Sequence, residues 1–76
     1  MAMAIINHNG EIYTGRTIES IARRIWGRTA SVEISPDPNN RSETPNRDIV
    51  FAQAMITRTD KYGTHVLAEV TVYPNH

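Results

Sequence analysis

The chain has 76 residues, eight basic and eight acidic side chains that cancel, and no cysteine. That length makes a single small domain, and a domain of this size hides only about 60% of the surface its unfolded chain exposes. The composition excludes disulfide staples, thiolate metal sites and thiol nucleophiles together, and it leaves no overall positive field to draw the chain onto a phosphate backbone. Stability must come from a thin core or from association with a second subunit or partner.

The run from Met1 to Asn7 has no basic start and too few apolar residues for a secretory leader or a membrane span, so a soluble, cytoplasmic protein is expected. Asn9-Gly10 lies between Ile5-Ile6-Asn7-His8 and Glu11-Ile12-Tyr13-Thr14. Asn-Gly suits a two-residue turn whose positions both need positive φ, which predicts a short N-terminal hairpin. From Thr17 to Trp26 the apolar residues are Ile18, Ile21, Ala22, Ile25 and Trp26, the spacing of a helix with one buried stripe. Thr17 is placed to cap its start and Gly27 to end it.

This helix resembles the opening of a helix-turn-helix, but that motif needs a second helix within a few residues. Ala30-Ser-Val-Glu-Ile-Ser35 alternates with period two instead and stops at Pro36. A strand with Ala30, Val32 and Ile34 turned inward is predicted, and the DNA-reading motif is set aside. Residues 36–47 hold three prolines, three asparagines and no apolar anchor, and read as a long, flexible polar loop.

Asp60-Lys-Tyr-Gly63 should turn the chain between two antiparallel strands. Pairing Asp60 with Thr64 sets Arg58 against Val66, Ile56 against Ala68, Ala54 against Val70, Ala52 against Val72 and Val50 against Pro74, a nearly all-apolar face. The opposite face then pairs Thr59 with His65, Thr57 with Leu67, Met55 with Glu69, Gln53 with Thr71 and Phe51 with Tyr73. Laying the helix stripe across the apolar face gives an α+β two-layer sandwich of order ββαβββ, one domain over 1–76, with an N-terminal β-hairpin and one amphipathic helix on an antiparallel sheet.

No catalytic constellation emerges. His8, His65 and His76 have no neighbours at metal-ligand spacing, and Asp37, Glu43 and Asp48 lack the order of a calcium loop. Gly10 and Gly15 have the spacing of a phosphate loop without its lysine or its buried parallel strand. No cofactor, metal or small-molecule substrate is expected, and the chain is read as a non-enzyme.

Two surfaces remain. Phe51, Met55, Leu67 and Tyr73 should lie close together on the outer face of the C-terminal hairpin, covered either by the N-terminal hairpin or by another chain. Arg16, Arg23, Arg24 and Arg28 give the helix segment a local positive charge opposed by Glu19, and Arg41 and Arg47 would extend it. The first surface predicts a small protein-binding or accessory module, of the kind phages and plasmids carry, acting through a sheet face or edge and including self-association as a homodimer. The alternative is a small nucleic-acid-binding protein that uses the arginine-bearing helix and the 36–47 loop on phosphates.

Overall fold

The structure, a computed structural model, describes residues 3–35, 41–43 and 49–74. The N-terminal hairpin consists of β1 (Ala4–His8) and β2 (Glu11–Gly15), paired antiparallel about Asn9-Gly10. Asn9 has φ 53° and Gly10 φ 91°, the double positive φ that this dipeptide favours, and the Asn7 side-chain oxygen accepts from the Gly10 N–H at 2.9 Å.

Helix α1 (Ile18–Trp26) starts and stops where its flanking residues dictate. The Thr17 hydroxyl accepts from the Ser20 N–H at 3.0 Å, and the Ser20 hydroxyl accepts in return from the Thr17 N–H at 3.2 Å. This reciprocal pair satisfies two of the amide groups that a helix start leaves without partners. Ile18, Ile21 and Ala22 are buried, and Ile25 and Trp26 are half-buried against the core. At the far end, the Trp26 ring meets His8 and Tyr13 edge-on, at centroid distances of 5.6 and 6.3 Å. The Arg24 guanidinium donates to the Thr14 carbonyl at 2.8 Å, tying the helix to β2.

Strand β3 (Ala30–Ile34) follows, then β4 (Arg41–Glu43), β5 (Ile49–Asp60) and β6 (Gly63–Tyr73). One antiparallel sheet runs β2-β1-β6-β5-β3, with β4 also paired to β5. The long strand β5 receives β3 along 54–58 and β4 along 49–52, while β1 pairs with the last residues of β6. The fold is the two-layer α+β sandwich expected, with the single helix on one face of the sheet.

Among the described residues, half of the twelve in the core are alanine: Ala4, Ala22, Ala30, Ala52, Ala54 and Ala68. The largest fully buried side chains are Ile6, Ile21, Ile56 and Val72. Small residues under the helix let it sit close to the sheet, but each contributes little apolar area, so the few isoleucines and valines carry most of the hydrophobic stabilisation, about 1.5–3 kcal/mol apiece. Gly15 shows how close the layers are. A Cβ built there would lie 2.6 Å from Ile21 Cγ1.

Two expectations need correction. The 36–47 segment is not wholly loop, because Arg41–Glu43 adds a short strand to β5; the rest of that segment lies outside the described residues. The C-terminal hairpin has the expected register from Ala52↔Val72 to Ile56↔Ala68 and then slips. Beyond the slip, Thr57 pairs with Val66, Arg58 with His65, Thr59 with Thr64 and Asp60 with Gly63, so Leu67 is the extra residue of a β-bulge. The turn at Lys61-Tyr62 is one residue tighter than Asp60↔Thr64 pairing requires. A one-residue slip moves every later side chain to the other face. Val66, expected inside, is 54% exposed, and Arg58 faces His65 instead of Val66. Val50, expected inside against Pro74, is also exposed.

Candidate protein-interaction face

Alternation from the buried residues of each strand defines the outer face, on the side of the sheet away from α1. It carries Ile12 and Thr14 from β2, Ile5 and Asn7 from β1, and Thr71, Glu69, Leu67 and Val66 from β6. Phe51, Gln53 and Met55 come from β5, with Thr57 following on the same side but only 5% exposed, and Ser31 and Glu33 come from β3. Ile12, Phe51, Val66 and Leu67 are exposed by 56%, 37%, 54% and 36%, and Ile5, Met55 and Tyr73 are half-buried.

The N-terminal hairpin does not cover this face. It joins the sheet edge-on through β1 and β6 and so widens the face instead of roofing it. Among the described residues the helix roofs the inner side and no element packs over the outer one.

The four residues singled out from sequence fall into two groups. The Phe51 and Tyr73 rings are tilted 44° at 6.2 Å, and Ile5 stands opposite Tyr73. Met55 and Leu67 form the second group, with Val66 brought in by the bulge. A polar rung separates the groups, in which the Gln53 side-chain amide donates to the Thr71 hydroxyl at 3.2 Å. Met55 is flanked on one rung by two carboxylates, Glu33 on β3 and Glu69 on β6, both exposed.

The arginines spread out. Arg16 lies at the start of α1 beside an open cleft of about 270 Å³ lined by Ile18, Val32, Ile34 and Pro74. Arg23 and Arg24 are at the opposite end of the helix, where positive charge suits the macrodipole, and Arg24 is engaged by Thr14. Arg28 is exposed in the turn before β3. Arg41 is placed by its backbone opposite Ala52, and Arg47 lies outside the described residues. Arg58 is the addition that sequence reasoning missed. The slip aligns Ala30, Arg58 and His65 on one rung of the helix side.

Among the described residues, two ionisable groups are shifted. Asp60 is held below the usual carboxylate range, first by the Tyr62 N–H, which donates to Oδ1 at 2.8 Å, and further by His65, whose Nε2 lies 3.2 Å from the same oxygen. The Tyr13 phenol is raised, chiefly because it donates to the Glu11 carboxylate. Neither group lies on the outer face. Among the described residues no three histidine, aspartate or glutamate side chains gather to hold a metal ion, and no helix is long and apolar enough to cross a membrane.

Ile5, Ile12 and Val66 were also missed. The Asn-Gly turn fixes the parity of the first two, so a signal was present for them; the slip that exposes Val66 has no such marker. Comparison of the chain with protein-family models, with curated proteins and with solved structures finds no match in any of the three.

Proposed function

We propose that this protein is a non-catalytic binding module that docks a partner protein through the outer face of its sheet. One observation carries the reading: the outer face keeps Ile12, Phe51, Val66 and Leu67 exposed, with no element packed over it among the described residues. A lone exposed apolar side chain means little, but several on one sheet face form the kind of surface a partner covers. The face is broad enough. Strand β5 has 12 residues, about 40 Å at strand rise, and the five strands in line are about 19 Å across, against the roughly 800 Å² per partner of a standard interface. A cytoplasmic location goes with this reading.

The test compares the wild type with Phe51→Ser/Leu67→Ser. Both positions are exposed, though Phe51 also meets Tyr73, so circular dichroism should change little and the melting temperature should fall only modestly. A protein retained from the native cell by the tagged wild type should be lost from the double variant. Retention of the same protein by both would reject the face as the binding site.

A second reading, nucleic-acid binding, is favoured by a specific asymmetry. Arg23, Arg28 and Arg58 are exposed on the helix side and its rim, where Glu11, Glu19 and Asp60 only partly offset them, whereas the outer face carries Glu33 and Glu69 with no cation among the described residues. This reading expects binding to an oligonucleotide at low salt that falls steeply between about 50 and 200 mM. Arg23→Ala with Arg28→Ala should weaken it. Arg24 is the poorer choice, since its removal also unties α1 from β2.

A further inference from the structure

We infer that the occupant of the outer face is a protein surface that joins apolar side chains to arginine or lysine, and not a second copy of this chain packed face to face. The inference rests on the docking reading above and adds the chemistry of the partner. Its basis is the rung Glu33–Met55–Glu69, where two exposed carboxylates flank a half-buried methionine near the middle of the face.

Charge is distributed unevenly about the sheet. Of the basic side chains described, Arg16, Arg23, Arg24, Arg28 and Arg58 lie on the helix side or its rim and Lys61 lies in the β5–β6 turn, so none is on the outer face. Among the described residues, Glu33 and Glu69 therefore have no cation beside them there. A covering surface that leaves them unpaired removes two carboxylates from water without compensation.

A symmetric face-to-face dimer makes this worse. With the two-fold axis near Met55, the isologous contact brings four carboxylates around two methionines, and like charges at an interface suppress the pairing. An apolar partner bearing arginine or lysine meets the same rung with opposite charge. Phe51 and Ile5 on one side of it, and Val66 and Leu67 on the other, supply the desolvated contact that anchors such a complex. Arginine suits the position best, because its planar group pairs with carboxylates and lies flat on aromatic rings.

The test pans a phage-displayed random-peptide library on the immobilised full-length chain. The strongest peptide is then measured, as a synthetic ligand, against four proteins: wild type, Glu33→Gln/Glu69→Gln, Glu33→Lys/Glu69→Lys and Phe51→Ser/Leu67→Ser. Recovered sequences should combine arginine or lysine with aromatic or aliphatic residues. The glutamine pair should lose about tenfold in affinity, the lysine pair more, and added salt should weaken wild-type binding. The serine pair should lose binding as well.

Loss with the serine pair but none with the glutamine pair would overturn the charge assignment and leave the docking face standing. No loss with either, or no binder from the library, would overturn both. Sedimentation at micromolar concentration supplies an independent arm: a stable dimer abolished by Phe51→Ser/Leu67→Ser would assign the face to a second copy and refute the inference.

Discussion

Arg58 stands opposite His65 in the β5–β6 ladder and opposite Ala30 in the β3–β5 ladder, so a guanidinium, an imidazole and a core alanine share one rung on the helix side of the sheet. That rung lies beyond Leu67, the extra residue of the bulge. Without the bulge, Val66 would occupy the place of His65, and a valine would face the helix layer where a histidine now does.

Val66 and Val70 are thus the same residue type on opposite faces of one strand, and the same substitution should separate them. Val66→Thr puts a hydroxyl into water and should change stability by less than about 0.5 kcal/mol. Val70 is 3% exposed, and Val70→Thr buries a hydroxyl in an apolar layer, at a cost of about 1–3 kcal/mol. Urea unfolding of the two variants reads the difference directly. Equal losses would mean that Val66 is inside and that the ladder continues unbroken from Ile56↔Ala68.

Much of the construction was legible before any coordinates. Ile18, Ile21 and Ala22 recur at helical spacing, Thr17 and Gly27 bracket them, and Asn9-Gly10 specifies its own backbone; each of these signals lies within a few residues of the structure it dictates. The central register of β5 and β6 was legible because Ala52, Ala54 and Ile56 must share a face with Val72, Val70 and Ala68. The bulge was not. Asp60-Lys-Tyr-Gly63 is compatible with a two-residue or a three-residue connection, and the choice is made by which residues at 63–67 can be buried or solvated, a tertiary question. The candidate face was only half legible for the same reason: its membership depends on parity beyond the slip, and its breadth depends on the N-terminal hairpin pairing with β6 at the edge instead of lying over it.

The near contact between Gly15 and Ile21 gives a second prediction. Alanine at 15 would place its Cβ 2.6 Å from Cγ1 of a fully buried isoleucine, so Ile21 or the helix must shift. Overpacking of this kind costs about 1–3 kcal/mol. Gly15→Ala should lower the urea midpoint accordingly, and Gly15→Ala combined with Ile21→Ala, which removes Cγ1 itself, should lose less than the sum of the two single changes. A Gly15→Ala protein as stable as the wild type would show that the two layers are not in contact there.

The reciprocal cap of α1 makes a prediction about coupling. Thr17→Ala removes the acceptor for the Ser20 N–H, and Ser20→Ala removes the acceptor for the Thr17 N–H. Each should cost about 1 kcal/mol. The Ser20 hydroxyl also lies 2.9 Å from the Thr17 carbonyl, to which it donates, so the two residues belong to one small network and their losses should not add. A double-mutant cycle by chemical denaturation should return a coupling of at least about 0.5 kcal/mol. Additive losses would mean that the two hydroxyls act independently.

The last prediction concerns acid. Asp60 accepts from the Tyr62 N–H at 2.8 Å and lies 3.2 Å from the His65 imidazole, and these contacts hold its carboxyl below the ordinary range in the folded chain. The folded state therefore binds the Asp60 proton less readily than the unfolded state does. The contribution to stability is complete above the ordinary carboxylate range and disappears as pH falls through the depressed folded value. Asparagine keeps an oxygen that can accept from the Tyr62 N–H but carries no charge. Asp60→Asn should thus be somewhat less stable than the wild type at neutral pH, and the two melting temperatures should converge on acidification. Because the side chain is solvent-exposed, the gap should be small and should narrow further in high salt. A gap that stays constant across the acid range, or widens, would mean that the charge of Asp60 adds nothing to the hairpin and that the turn is held by its backbone geometry alone.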